Sequence, residues 1–113
     1  MRVAGLALIL LAAGCGRGQQ QEATSVAVPG FECATDGASD YGSGCTLERV
    51  AATSGTILTL RSPTGSFRRL RITNGNVAAA DGAEPARTIG GDAKRIEVAI
   101  GGDRYRIPRE ALR

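Results

Sequence analysis

The segment Lys94-Arg95-Ile96-Glu97-Val98-Ala99-Ile100 carries the clearest period in the chain. Ile96, Val98 and Ile100 alternate with Arg95, Glu97 and Ala99, and a period of two puts one set on each face of a β-strand. Beyond the turn Gly101-Gly102-Asp103, the stretch Arg104-Tyr105-Arg106-Ile107-Pro108 repeats the pattern. Tyr105 and Ile107 point inward there, and Arg104 and Arg106 outward. Pro108 lacks a backbone donor, so it ends this strand or lies at an edge. The tail Arg109–Arg113 is long enough for one helical turn.

Toward the N-terminus the same grammar recurs in shorter pieces. Strands are expected at Thr46–Ala52 (TLERVAA), Thr56–Arg61 (TILTLR), Ser66–Ile72 (SFRRLRI) and Asn76–Ala80 (NVAAA), with a short one at Arg87–Ile89 closed by Gly90-Gly91-Asp92. Ser62-Pro63-Thr64-Gly65 has turn chemistry, and Asn74-Gly75 is the strongest two-residue hairpin signal. About six or seven strands at spacings of about ten residues predict an all-β fold: a small antiparallel meander closed as a barrel or a sandwich. The expected core is Leu47, Val50, Leu58, Leu60, Leu70, Ile72, Ile96, Val98, Ile100, Tyr105 and Ile107.

Composition narrows the chemistry. The chain has 113 residues with no His, no Trp and only 4% aromatic residues. Without imidazole there is no histidine metal site and no Ser-His or Cys-His nucleophile. No G-x-S-x-G motif is present, and the Gly-Gly-Asp turns open no helix, so they are not phosphate loops. No enzyme, cofactor or metal site is expected. Fourteen basic residues against eleven acidic ones give a net charge of +3, and thirteen of the fourteen are Arg.

The first fifteen residues, MRVAGLALILLAAGC, have one basic residue, Arg2, followed by an apolar run from Val3 to Ala13. That run has signal-peptide length and is too short to span a bilayer as a helix. It leads through Leu11-Ala12-Ala13-Gly14 into Cys15. This resembles the lipobox of bacterial lipoproteins, with Ala12 where that family favours Leu. The resemblance implies cleavage between Gly14 and Cys15 and lipidation of the Cys15 thiol. It therefore implies a cell-envelope protein held in the membrane by its N-terminal lipid, with its domain facing the periplasm. Gly16 stands where Asp marks inner-membrane retention, which favours the outer membrane. Residues 1–14 are then a signal peptide, 15–30 a lipidated cysteine with a polar tether, and 31–113 the folded domain.

With Cys15 given to lipid, Cys33 and Cys45 remain as a pair, and an exported compartment favours a disulfide between them. It would close a loop of roughly 13 residues, a constraint that contributes about 3 kcal/mol in the chain-entropy model. The alternative, a two-thiol metal or redox site, lacks further ligands and C-x-x-C spacing. Asp36 and Asp40 in the same loop lack a calcium-loop pattern.

The densest charge is Arg68-Arg69-Leu70-Arg71. Alternation puts Arg69 and Arg71 on the face of Phe67, and Arg68 on that of Leu70 and Ile72. If Arg104 and Arg106 share an outer surface with them, the sheet carries an arginine stripe able to bind an anionic envelope component or an acidic protein. The simpler expectation is a solvated face with Glu48, Glu97 and Glu110 as cross-strand partners. Nucleic acid is disfavoured by the compartment and by the scarcity of stacking aromatics. The loop Asp81–Arg87 offers a second place for a site, or a structural turn with a Glu84–Arg87 pair.

A further resemblance covers Cys45–Pro108. The runs CTLERV, PTGSFRR, AAADGAEPAR and RIEVAIGGDRYRIP resemble a group of short exported proteobacterial proteins with no assigned activity. The leading reading is a lipid-anchored, non-enzymatic binding or structural accessory. Two others fit the same residues: a soluble periplasmic or secreted binding module using the arginine face, and a small enzyme or inhibitor whose site one sequence does not display. Oligomeric state is not encoded in any of these motifs.

Overall fold

Among the described residues eight short strands form, one or two more than the turn signals suggest. They are β1 (Glu32–Ala34), β2 (Thr46–Ala52), β3 (Gly55–Arg61), β4 (Phe67–Thr73), β5 (Asn76–Ala79), β6 (Ala86–Gly91), β7 (Arg95–Ile100) and β8 (Asp103–Pro108). A 3-10 turn, Arg109–Leu112, follows. These features come from a computed structural model that describes residues 27–81 and 84–113. The expected signal peptide, the Gly14–Cys15 cleavage point, the lipidated Cys15 and most of the tether lie outside the described residues.

The strands divide into two antiparallel four-stranded sheets. Sheet one has the order β1-β8-β7-β6, and sheet two is the meander β2-β3-β4-β5. The single meander expected from sequence is thus split: the chain leaves sheet one after β1, builds sheet two, and returns between β5 and β6 to finish sheet one with the meander β6-β7-β8. The sheets are not closed into a barrel. They share one core: Leu47, Leu58, Leu60, Leu70 and Ile72 from sheet two meet Ile96, Val98, Ile100, Tyr105 and Ile107 from sheet one. This is the arrangement of a sandwich.

The hairpins follow from their turn residues. Asn74 and Gly75 have φ values of 51° and 78°, the left-handed pair that a type I′ turn needs between Thr73 and Asn76. Asp92 closes the β6–β7 turn by accepting hydrogen bonds from the backbone N–H groups of Lys94 and Arg95. Gly55 opens β3 with φ of 129°, where a Cβ would collide with the Ile72 carbonyl oxygen.

Three sequence expectations change. Val50 leaves the core and is 38% exposed. It lies three residues after the inward-facing Leu47, an odd step that a period-two strand sends to the other face. Gly90 and Gly91 continue β6 instead of closing it, after a register shift between Thr88 and Gly90. That bulge turns Ile89 out, 48% exposed. Finally, β1 forms where a loop was expected to begin, paired to β8 with Cys33 opposite Tyr105.

Cys33 and Cys45 form the expected disulfide. Cys33 lies in sheet one, and Cys45 directly precedes β2 in sheet two, so the bond ties the two sheets together. Both are buried, beside Phe31 and Tyr105, whose rings stack at 6.4 Å. The intervening loop returns to cover the free edge of β1, where Gly42 exchanges two backbone hydrogen bonds with Cys33. Replacing both cysteines with serine is expected to lower unfolding free energy by about 3 kcal/mol, measured by urea denaturation. In the same assay Leu58→Ala should cost about 2–5 kcal/mol, and Val50→Ala no more than about 0.5 kcal/mol. An equal loss for these two would overturn the outward placement of Val50.

Candidate functional site

The strand pattern of sheet two places Arg61, Phe67, Arg69 and Arg71 on one outer face. Register brings Arg61 opposite Phe67, Thr59 opposite Arg69, and Ile57 opposite Arg71. Glu48 and Val50 join the same face from β2, opposite Thr59 and Ile57. Phe67 is 49% exposed. The guanidinium carbons of Arg61 and Arg69 lie 5.3 and 5.6 Å from its ring centroid. Such contacts are attractive through the ring quadrupole and hold the cations beside the ring.

Charge on this face is only partly compensated. Arg61 pairs with Glu48 at 3.1 Å. Arg71 donates to the Ser54 hydroxyl at 2.8 Å. Neither Arg69 nor Arg71 forms an ion pair among the described residues. Thr59 lies buried between these longer side chains, although it is on the outer face.

The outer face of sheet one is built differently. Arg106 reaches Glu97 at 3.1 Å and Glu32 at 3.6 Å. Arg95 pairs with the same Glu32 oxygen. The result is a ladder of alternating charge across β1, β8 and β7. Tyr41, from the disulfide loop, lies over it, its ring centroid 3.9 Å from the Arg106 guanidinium carbon and 5.0 Å from that of Arg104. Arg104 also donates to the Ser39 carbonyl oxygen. These arginines hold the loop against the sheet.

The arginine stripe expected from sequence is therefore divided. Arg69 and Arg71 lie on the outside of sheet two, and Arg104 and Arg106 on the outside of sheet one. Arg68 belongs to neither outer face. It projects on the side of Leu70 and ties the sheets together through Asp103 at 3.1 Å and Glu84 at 3.3 Å. Burial pulls the Arg68 pKa down, but the hydrogen bond to Asp103 and the charges of Glu84 and Asp103 raise it overall, so it stays a cation. Of the expected cross-strand carboxylates, Glu48 and Glu97 serve as partners, while Glu110 makes no ion pair among the described residues. Glu84 pairs with Arg68, not with Arg87. The turn at 81–87 is thus a brace between the sheets; its residues 82–83 lie outside the described residues.

Sequence reasoning missed one concave feature. A groove of about 640 Å³ opens where the chain enters the domain at Pro29 and Gly30, and Lys94, Arg109, Glu110 and Arg113 help to line it. Asp92 is held below the usual carboxylate range by the N–H groups of Arg95 and Lys94. No group of three or more His, Cys, Asp or Glu side chains is placed to hold a metal ion among the described residues. None of the described helices is long and apolar enough to cross a membrane.

No protein-family model matches the chain, and no curated protein or solved structure matches it either. Function is therefore read from the residues themselves.

One buried group gives a pH signature. Burial pushes the Tyr105 hydroxyl up to about 12, Asp103 adds to the effect, and Arg68 opposes it. The folded state holds this proton more tightly than the unfolded chain, where tyrosine titrates near 10. The stability that this group contributes is thus fully present below about pH 10 and is lost as pH rises through about 12. Denaturant midpoints followed through this range should fall for the wild type and fall less for Tyr105→Phe. Equal slopes would show that another group controls alkaline unfolding.

Proposed function

We propose that the protein is a lipid-anchored cell-envelope module, a non-enzymatic binding or structural accessory that contacts an anionic component through the outer face of sheet two. The observation that carries the contact surface is the pair Arg69 and Arg71. Arg69 stands exposed beside Phe67, and Arg71 stands exposed further along the same face, where the strand carboxylate Glu48 already pairs with Arg61. Of the arginines of sheet one, by contrast, Arg95, Arg104 and Arg106 are committed to Glu32, Glu97 and the disulfide loop, and Arg87 stands exposed on β6. An uncompensated cationic face attracts anions by long-range field and by bidentate guanidinium contacts.

The anchoring half of the proposal is supported by the lipobox resemblance at Leu11–Cys15. The Cys33–Cys45 disulfide is consistent with it, since such bonds persist in oxidising compartments. The expected partners are an anionic envelope component or an acidic protein, and the expected location is the periplasmic side of the envelope.

Intact mass spectrometry of membrane-fraction protein, wild type beside Cys15→Ala, tests the anchor. The expected result is a mature chain beginning at Cys15 with added acyl mass, absent from the variant. An unacylated chain cut elsewhere would overturn the anchor and leave a soluble exported module using the same face.

A further inference from the structure

We infer that the outer face of sheet two docks flat on an anionic lipid surface, with Phe67 entering the headgroup region and Arg69 and Arg71 contacting lipid phosphates. This rests on the anchored, anion-binding reading above and names its partner.

The face combines two chemistries. Phe67 is 49% exposed and Val50 38%, and Ile57 is partly exposed between Val50 and Arg71. An anionic glycan or a small anion would use the guanidiniums but leave these apolar side chains in water. A bilayer interface takes both at once, because apolar groups settle at the acyl boundary while cations meet the charged headgroups. Arg61 and Arg69 flank the Phe67 ring, so an entering ring brings its own phosphate contacts.

The shape fits as well. These side chains come from three adjacent strands in unbroken register, so they share one continuous face. The two broad faces differ in how their arginines are held: on sheet one Arg95 and Arg106 pair with Glu32 and Glu97 and Arg104 holds the disulfide loop, leaving Arg87, whereas on sheet two Arg69 and Arg71 form no ion pair among the described residues and stand with the exposed Phe67 and Val50. The chain from Cys15 to Ala27 spans up to about 40 Å when extended, while a seven-residue strand is about 23 Å long. An anchor at Cys15 therefore leaves the domain free to lie on this face.

The chain has no Trp, so Phe67→Trp introduces a lone fluorescent reporter. The full acylated chain is placed on vesicles of phosphatidylcholine, with or without phosphatidylglycerol, carrying brominated acyl chains as quenchers. The expected result is blue-shifted, bromine-quenched emission on the phosphatidylglycerol vesicles only. Adding Arg69→Gln and Arg71→Gln should lower the ratio of docked to undocked domain about 25-fold, at roughly fivefold per charge lost near such a surface. Lys94→Gln with Arg113→Gln, at the groove away from this face, should leave it unchanged. Thermal melting of each variant confirms that the fold is kept.

An acylated chain that floats with vesicles while the indole stays in water keeps the anchor and overturns the docking. An unacylated chain whose indole still shifts on phosphatidylglycerol supports the docking and overturns the anchor. Equal losses for the two double variants would overturn the assignment to this face. A shift produced by an anionic polysaccharide and not by vesicles would overturn the lipid in favour of a glycan.

Discussion

The Cys33–Cys45 bond is the constraint on which the rest of this domain depends. Sheet one begins with a three-residue strand, too short to hold its place by pairing alone. The disulfide fixes β1 to the start of sheet two, and Phe31 and Tyr105 close around it. With β1 in place, β8 gains a partner on each side, and the Cys33–Gly42 hydrogen bonds seal the edge beyond. The core itself is nearly all aliphatic, and a domain this small leaves much of its surface in water. A covalent tie between the sheets therefore matters more here than it would in a larger sandwich.

The same loop explains why the two outer faces differ. Between the cysteines the chain is polar and cannot bury itself, so it is held by specific contacts. Tyr41 lies against Arg104 and Arg106, the Ser39 carbonyl accepts from Arg104, and Asp36 accepts a hydrogen bond from Thr64 across the sheets. Holding the loop occupies two of the arginines of sheet one, and Glu32 and Glu97 compensate the charge that remains nearby. Sheet two has no such loop to hold. On its outer face Arg61 pairs with Glu48 and Arg71 donates to Ser54, while Arg69 is held only beside the Phe67 ring among the described residues.

Much of this was legible in the sequence, and the exceptions are physical. Strict alternation at 95–100 and 104–108, together with Asn74-Gly75, placed β7, β8 and the β4–β5 hairpin, since period and turn chemistry are local. The disulfide followed once Cys15 was given another role. Three-residue β1 was not legible because its stability comes from Cys45 and β8, which are remote in sequence. Val50 was misplaced by hydrophobicity taken without counting its spacing from Leu47. The division of the arginines between sheets also escaped, because alternation tells which side of its own strand a residue occupies. It does not tell which sheet receives the strand. Alternation did put Arg68 on the side of Leu70, opposite Arg69; what it could not show is that Glu84 and Asp103 of the other sheet's segments would meet it there.

The pairing of β1 with β8 has a consequence for the order of folding. Sheet two is built from consecutive hairpins and can form as its segments become available. Sheet one cannot be completed until β8 arrives, because its first strand waits for its last. Long-range pairings of this kind are slow to close, since their loop entropy is lost before any contact is gained. The two cysteines, twelve residues apart, meet sooner than β1 and β8 do. Their bond shortens the search by holding β1 against the finished sheet until its partner strand reaches it.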